Sequence, residues 1–344
     1  MTMLNQITLS YIHIEKFKLV DSKKPLQSNR ISILIPVYNA ELYIKETIRS
    51  IVNQTYQNFE ILIADDASLD NSRSIIDSIK DPRIRTFHNH KNIGKPRTCN
   101  KLFEQVTGEF VTIHDADDIS LPLRFEKLVS FLKEHPQIAM CGHIIQRISE
   151  KGKLLPLFRD KATSHEKIIE KMKTTNTSGD PSIMFKTQIV SKIGGLLRPY
   201  FKNNMDYDLA LRILEKYEVP NLPEVLSYYR NVPTSISKNI KSYKKLITQK
   251  MTQYFAKERA KRGIDSLMEE NWDKIKTLED EFAIPYKLDK SLYFRECAAQ
   301  FMYFQMYGTA ICYSWRAVCS EPFKLINLRT LQYCLRKSIL LNVL

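Results

Sequence analysis

The sequence predicts an α/β protein: a mostly parallel sheet flanked by helices, followed by a helical C-terminal region. Two observations carry that reading. Short, wholly apolar runs alternate at least three times with segments of helical periodicity, as in strands buried on both faces of a covered sheet. After about Ala139 the alternation is lost, and from Ile240 onward nearly everything reads helical, Lys-rich early and aromatic late.

Residues 1–29 form a polar N-terminal extension ending in the turn-like KKPLQSN. Ile31–Val37 (ISILIPV) is the first buried strand, and Ile44, Ile48, Ile51 and Val52 give Tyr43–Gln54 a helical stripe. Phe59–Ala64 is a second strand, followed by the polar turn DDASLDNS and a helix over Ser72–Ile79. Arg83–His88 is a third strand, Lys95–Val106 a third helix, and Phe110–His114 a fourth strand running straight into carboxylates. Beyond Ala139, Pro181–Phe185 reads as a strand and Asp206–Tyr217 as a helix. The domain reading is therefore 1–29, 30–239 and 240–344.

At 344 residues, with 43% hydrophobic and 26% charged, the chain holds one large domain plus an appendage and is not disordered. The excess of 52 basic over 38 acidic residues, +14, favours an anionic partner. Nucleic acid, anionic lipid and a phosphorylated substrate all satisfy that charge. No nucleic-acid motif is present, so nucleic acid is not expected as a partner. The six cysteines lack metal-ligand spacing and read as free thiols in a reducing cytoplasm. No signal peptide is read at the N-terminus. Cys297–Trp315 approaches spanning length but carries Gln300, Gln305 and several tyrosines, so it reads as an amphipathic or buried helix.

In open α/β sheets, ligands bind outside the carboxyl ends of the strands. Three strand ends here carry polar, mostly acidic groups: Pro36–Glu41, Asp65–Asp70 and Asp115–Asp118. Asp115, Asp117 and Asp118 repel one another, so burying them together needs a cation, and hard oxygen ligands suit Mg²⁺ or Mn²⁺. A solvated acidic turn capping the helix that begins near Pro122 is the alternative. Asp65 and Asp66, with Ser68 and Asp70, either cap the helix that follows or accept from the imide of uracil and from ribose hydroxyls. The chain has no GxGxxG after its first strand, no GxxxxGK[ST], no HExxH and no GxSxG. That disfavours dinucleotide oxidoreductases, P-loop NTPases, zinc proteases and serine hydrolases.

The blocks ISILIPVYNAELYIKETIRSIVNQTYQNFEILIADDASLD, NIGKPRTCNKLF, GEFVTIHDADDISLPLRFEKL, DPSIMFK, IGG and MDYDLALRI, in this order, resemble the catalytic domain of glycosyltransferase family 2 over about Ile31–Ser237. The resemblance implies the GT-A nucleotide-diphospho-sugar transferase fold and inverting, metal-dependent transfer with Mn²⁺ or Mg²⁺. It places Pro36, Tyr38, Asn39, Glu41, Asp65 and Asp66 around the base and ribose, with Lys95 and Arg97 approaching the donor. It matches Asp115 and Asp117 to a DxD motif, the first near the ribose and the second on the metal. Asp206 matches the general base. Met205 stands where the family usually has Glu, which keeps Asp208 open as an alternative base. Val232 replaces a frequent His, and the processive signature QxxRW is missing.

The implied function moves a hexosyl or N-acetylhexosaminyl group from a nucleotide sugar, UDP expected, to a glycan or lipid-linked saccharide. Surface polysaccharide or lipopolysaccharide biosynthesis is the expected setting. A non-catalytic nucleotide-sugar or glycan-binding module and a sugar nucleotidyltransferase are the competing readings. The tail 240–344, with 18 basic against 11 acidic residues, reads either as a peripheral contact with an anionic membrane or as packed helices with a solvated lysine face. Oligomeric state is not legible.

Overall fold

The computed structural model describes residues 25–156, 163–173, 182–232 and 242–342. The lead-in over 1–24, Asp180 and Pro181, Ser237 and the expected boundary at 239/240 lie outside the described residues. The chain divides into two compact units, Met1–Asn231 and Val232–Leu344.

The first unit opens with β1 (Gln27–Val37), α1 (Ile44–Val52), β2 (Phe59–Asp65), α2 (Ser72–Ser78), β3 (Ile84–His88), α3 (Lys95–Phe103) and β4 (Gly108–Ile113). It continues with β5 (Ile119–Ser120), α4 (Arg124–Glu134), β6 (Met140–Ser149), α5 (His165–Met172), β7 (Met184–Lys186), α6 (Ile189–Lys192), α7 (Met205–Leu214) and β8 (Asn221–Asn231). The strands join in the order β3-β2-β1-β4-β7-β6-β8-β5. β3, β2, β1 and β4 are mutually parallel, because each is connected to the next by a helix that crosses the sheet. β7 then pairs antiparallel with both β4 and β6.

Ile31, Ile33, Ile35 and Val37 of β1 and Phe59, Ile61 and Ile63 of β2 pack with Ile44, Ile48 and Ile51 of α1 and Phe125, Leu128 and Leu132 of α4 in one core. α3 buries Cys99, Leu102 and Phe103 and packs on β1 and β2. The registers align Val37 with Asp65 and Asp65 with His88. Three parallel strands therefore end at one edge, and the turns that follow them emerge together. The chain leaves β1 for β2 on one side and later returns to lay β4 on the other. That reversal makes a switch point between β1 and β4, where open α/β sheets bind their ligands.

Two long strands escape the expectation that alternation ends near Ala139: β6 has ten residues and β8 eleven, and they pair in parallel. Their pattern is hidden by buried polar side chains, His143 and Arg147 in β6 and Ser227 and Arg230 in β8. Pro223 also sits inside β8, in the register gap between the pairs His143–Leu222 and Ile144–Val225, where a missing N–H costs no ladder bond. β1 begins at Gln27, inside the expected N-terminal extension, and the strand read over Pro181–Phe185 is Met184–Lys186 where described.

The second unit is helical as expected: α8 (Tyr243–Arg262), α9 (Trp272–Leu288), α10 (Leu292–Tyr303), α11 (Tyr307–Ser320) and α12 (Leu325–Asn342). Cys297–Trp315 is not one helix. It breaks between α10 and α11, with Gln305 at φ 57°. Among the described residues no helix is long and apolar enough to cross a membrane. All six cysteines are free; Cys99, Cys141, Cys297 and Cys334 are buried, and Cys312 and Cys319 are exposed.

Candidate functional site

The turns after β1 and β2 are zipped together. Asn39, at φ 51°, donates its backbone N–H to Ser68 Oγ at 3.0 Å and accepts from the Leu69 N–H at 2.8 Å. The Glu41 N–H donates to Asp70 Oδ2 at 3.0 Å, and the Glu41 carboxylate accepts from the backbone and side-chain nitrogens of Asn71 at 2.9 and 2.8 Å. Asp65 is buried and accepts weakly from the Ser68 N–H at 3.3 Å. Asp70 also accepts from the Ser72 N–H at 3.0 Å in the first turn of α2, whose N-cap is Asn71, and Glu41 is occupied in joining the two turns. Pro36 is part-buried, whereas Tyr38 stands 46% exposed beside it.

Asp66, also buried, faces the turn before α3. Its carboxylate accepts from Asn89 Nδ2 at 2.9 Å, the Ile93 N–H at 3.0 Å and the Gly94 N–H at 2.8 Å. Gly94 takes φ 85°, the left-handed region that L side chains avoid, and starts α3. The turn delivers Lys95, whose Nζ reaches Asp115 Oδ1 at 2.5 Å. Arg97, one turn position later, is exposed.

The acidic turn after β4 is built from several sides. Thr47 of α1, buried, donates Oγ1–H to the carbonyls of Ala116 and Asp118 at 3.0 and 2.9 Å. His114 Nδ1 lies 2.7 Å from the Asp115 carbonyl, which can only accept, so that nitrogen carries the proton. Burial, with Arg124 nearby, pushes the His114 pKa down to about 3, so the ring is neutral and its Nε2 accepts from Ser120 Oγ at 3.0 Å. Arg230 of β8 straps the turn. Its backbone N–H donates to Asp118 Oδ1 at 2.8 Å, and its guanidinium to the carbonyls of Asp117 and Glu150 at 2.9 Å each and to Glu46 at 2.7 Å.

Asp115, Asp117 and Asp118 each offer a carboxylate oxygen, and these oxygens lie within 4.8 Å of one another. Burial first, then the Asp115 charge, pushes Asp117 up to about 6. Burial and both neighbouring carboxylates hold Asp118 well above the usual carboxylate range. Asp118 Oδ2 is buried with no hydrogen-bond partner. An orphaned buried oxygen beside two further hard oxygen donors fits a divalent cation such as Mg²⁺ or Mn²⁺.

In α7, Met205, Tyr207, Leu209 and Ala210 are buried and Asp206 is the one part-exposed residue of 205–210. Asp208 is fully buried. It accepts from Arg198 Nε at 2.9 Å and from Arg212 Nε at 2.9 Å, with Arg198 Nη2 on its other oxygen. Asp208, the alternative base, is thus an ion-pair acceptor in the core and does not face solvent. Two guanidinium groups, those of Arg198 and Arg212, hold it there. Val232 is buried.

Sequence reasoning missed Arg230, Thr47 and His114. Arg230 stood in plain view beside Val232, but nothing in a strand-like pattern announces that an arginine turns inward. Asp118, left without a role, is the most deeply buried member of the acidic turn.

A model described as "Glycosyl transferase family 2" matches residues 32–194. An uncharacterized glycosyltransferase of Methanocaldococcus jannaschii is 30% identical over 219 residues, covering 59% of this chain and 74% of that protein. The Escherichia coli UDP-Glc:alpha-D-GlcNAc-diphosphoundecaprenol beta-1,3-glucosyltransferase WfgD is 30% identical over 216 residues, covering 61% and 80%. The crystal structure of S. aureus TarS 1-349 aligns with a TM-score of 0.54 at 18% identity, covering 83% of this chain and 80% of that one. The same protein solved in complex with UDP-GlcNAc aligns with a TM-score of 0.53 at 19% identity, covering 65% and 66%. At that identity the two structures speak for the fold alone.

Proposed function

The chain belongs to glycosyltransferase family 2, and on that premise we propose that it is an inverting, metal-dependent transferase. It moves a hexosyl or N-acetylhexosaminyl group from a UDP-sugar to a hydroxyl of a lipid-linked saccharide or glycan in surface-polysaccharide assembly. The observation that carries the reading is the acidic turn at the switch point between β1 and β4, with its orphaned Asp118 oxygen. The choice of UDP and of a lipid-linked acceptor leans on the printed name of WfgD, a glucosyltransferase with UDP-Glc as donor and alpha-D-GlcNAc-diphosphoundecaprenol as acceptor. The reaction belongs in the cytoplasm, where free thiols stay reduced.

Asp117 and Asp115, with Asp118 behind them, would hold Mn²⁺ or Mg²⁺, which when bound neutralises charge on a leaving diphosphate. The chain's own residues do the rest. The joined turns carrying Pro36, Tyr38, Asn39, Glu41 and Asp65 form the wall on which the base and ribose lie. Asp66 fixes the turn that aims Lys95, and Lys95 and Arg97 set positive charge near the diphosphate. Asp206, accessible at the start of α7, accepts the proton of the acceptor hydroxyl as that oxygen attacks the anomeric carbon. One displacement inverts the carbon, so no nucleophilic carboxylate is required.

A hydrolysis screen over nucleotide sugars with Mn²⁺ and Mg²⁺, followed by acceptor trials with the best donor, tests the proposal. The expected outcome is metal-dependent turnover of a UDP-sugar, lowered roughly 10²–10⁴-fold by Asp206→Asn with donor binding kept. Donor binding without turnover on any lipid-linked or free saccharide would instead support the binding-module reading, which Met205 favours.

A further inference from the structure

The second unit ends in a surface that the transferase reading leaves unused. α12 packs on α10 and α11, burying Asn327 and Cys334 on one side. The opposite side carries Leu325, Leu328, Leu335 and Ile339, at steps of three, seven and four residues, and these side chains are exposed. Leu325 is 68% exposed and Ile339 65%; Phe323, in the turn before α12, is 98% exposed, and Trp315 on α11 is 57% exposed. Arg329, Arg336 and Lys337 stand on the same outward side of α12, around a shallow groove shared with Gln332 and Tyr333. Among the described residues none of these three cations has a carboxylate partner. Neither α11 nor α12 contains an acidic residue, and Glu321 is the one acid between Cys297 and Leu344.

We propose that the outward face of α12, with Phe323 and Trp315 at its margin, is a docking surface for an anionic lipid bilayer. Exposed large apolar side chains interleaved with unpaired cations match an interface whose apolar layer lies beneath a layer of phosphates. The arginine and lysine stems lie along the apolar face while their charged ends reach the headgroups. A second copy of the chain fits worse. A two-fold contact through this face would set the cations of one α12 (Arg329, Arg336 and Lys337) close to those of the other, with no acid in either helix to pair them. Since no described helix can cross a membrane, α12 lies on the surface rather than through it. The inference rests on the second unit alone and stands whether or not the donor or acceptor assignment holds.

The test uses the full-length chain and vesicles of phosphatidylcholine with or without about 30% phosphatidylglycerol, roughly an inner-leaflet charge density. With Trp272→Phe in the background, Trp315 becomes the single tryptophan reporter. Its emission shifts to the blue on anionic vesicles and stays unchanged on neutral ones. Co-sedimentation with anionic vesicles weakens as salt is raised. Replacing Arg329, Arg336 and Lys337 together by Gln lowers partitioning about 10²-fold, and Phe323→Ser with Ile339→Ser lowers it further. Thermal unfolding midpoints confirm that these surface variants fold. Equal binding to neutral vesicles, or anionic binding untouched by the triple substitution, overturns the proposal. A dimer in sedimentation velocity that Leu328→Ser with Leu335→Ser disperses would assign the face to self-association and overturn it as well.

Discussion

Two carboxylates in α7, two residues apart, differ in burial: Asp206 is part-exposed and Asp208 fully buried. Asp208 is a buried ion-pair acceptor between Arg198 and Arg212, and Arg212 also donates to the carbonyls of Ile193, Gly195 and Leu196. Removing its charge strands two buried guanidinium groups, so Asp208→Asn is expected to lower stability by about 3–5 kcal/mol. Asp206→Asn, at a part-exposed position, is expected to lower the urea midpoint less, and urea titration of both variants checks the contrast. Helical spacing could not separate them, because an arginine ten residues upstream is invisible to a periodicity argument. Asp117 gives a second test. Its folded pKa of about 6 lies above the unfolded value of about 3.9, so the stability it allows is complete below the lower value. That stability is lost as pH rises through about 6. The metal-free protein is therefore expected to unfold more easily at pH 7.5 than at pH 5. Mn²⁺ at about 100 times its dissociation constant returns about 2.7 kcal/mol at the higher pH. Melting curves across that range, with and without Mn²⁺, read the effect, and a midpoint indifferent to Mn²⁺ at pH 7.5 would tell against the site.

At the level of elements, the site exists because β1 and β4 lie side by side with their carboxyl ends together. Gly108 makes that contact close. A Cβ there would stand 2.6 Å from the Arg30 carbonyl oxygen and 2.7 Å from the Ser32 nitrogen, both backbone atoms that cannot step aside. Gly108→Ala is expected to cost about 1–3 kcal/mol by overpacking, read as a lower midpoint in urea. A midpoint equal to wild type would mean the strands separate there at no cost. The apolar runs of β1, β2 and β4 were legible because buried parallel strands have no polar face to disguise them. β6 and β8 were not, since His143 Nε2 pairs with Ser227 at 2.8 Å and Arg230 with the acidic turn, and such pairings write polar letters into core strands. The helical periodicity over Cys297–Trp315 continued through a break because Gln305, unlike glycine, gives no sign of a left-handed turn.

Across the whole molecule, the first unit carries the strand-end chemistry, and the second carries much of the cationic excess, 18 basic against 11 acidic residues over 240–344. The acidic strand ends were legible because carboxylates directly after apolar runs have few uses other than capping and ligand binding. The strap from Arg230, 112 residues beyond Asp118, was not, because it is fixed only when β8 closes onto β5 and β6. The central claim is that the acidic turn binds a nucleoside diphosphate together with a divalent cation. Calorimetric titration of UDP into the full-length protein, with and without Mn²⁺, tests it most directly, in wild type and in Asp117→Ala. Wild type should bind UDP at least tenfold more tightly with Mn²⁺, an increment of about 1.4 kcal/mol or more, and the variant should lose that increment while keeping its fold. Equal affinity with and without Mn²⁺ in both proteins would contradict the account.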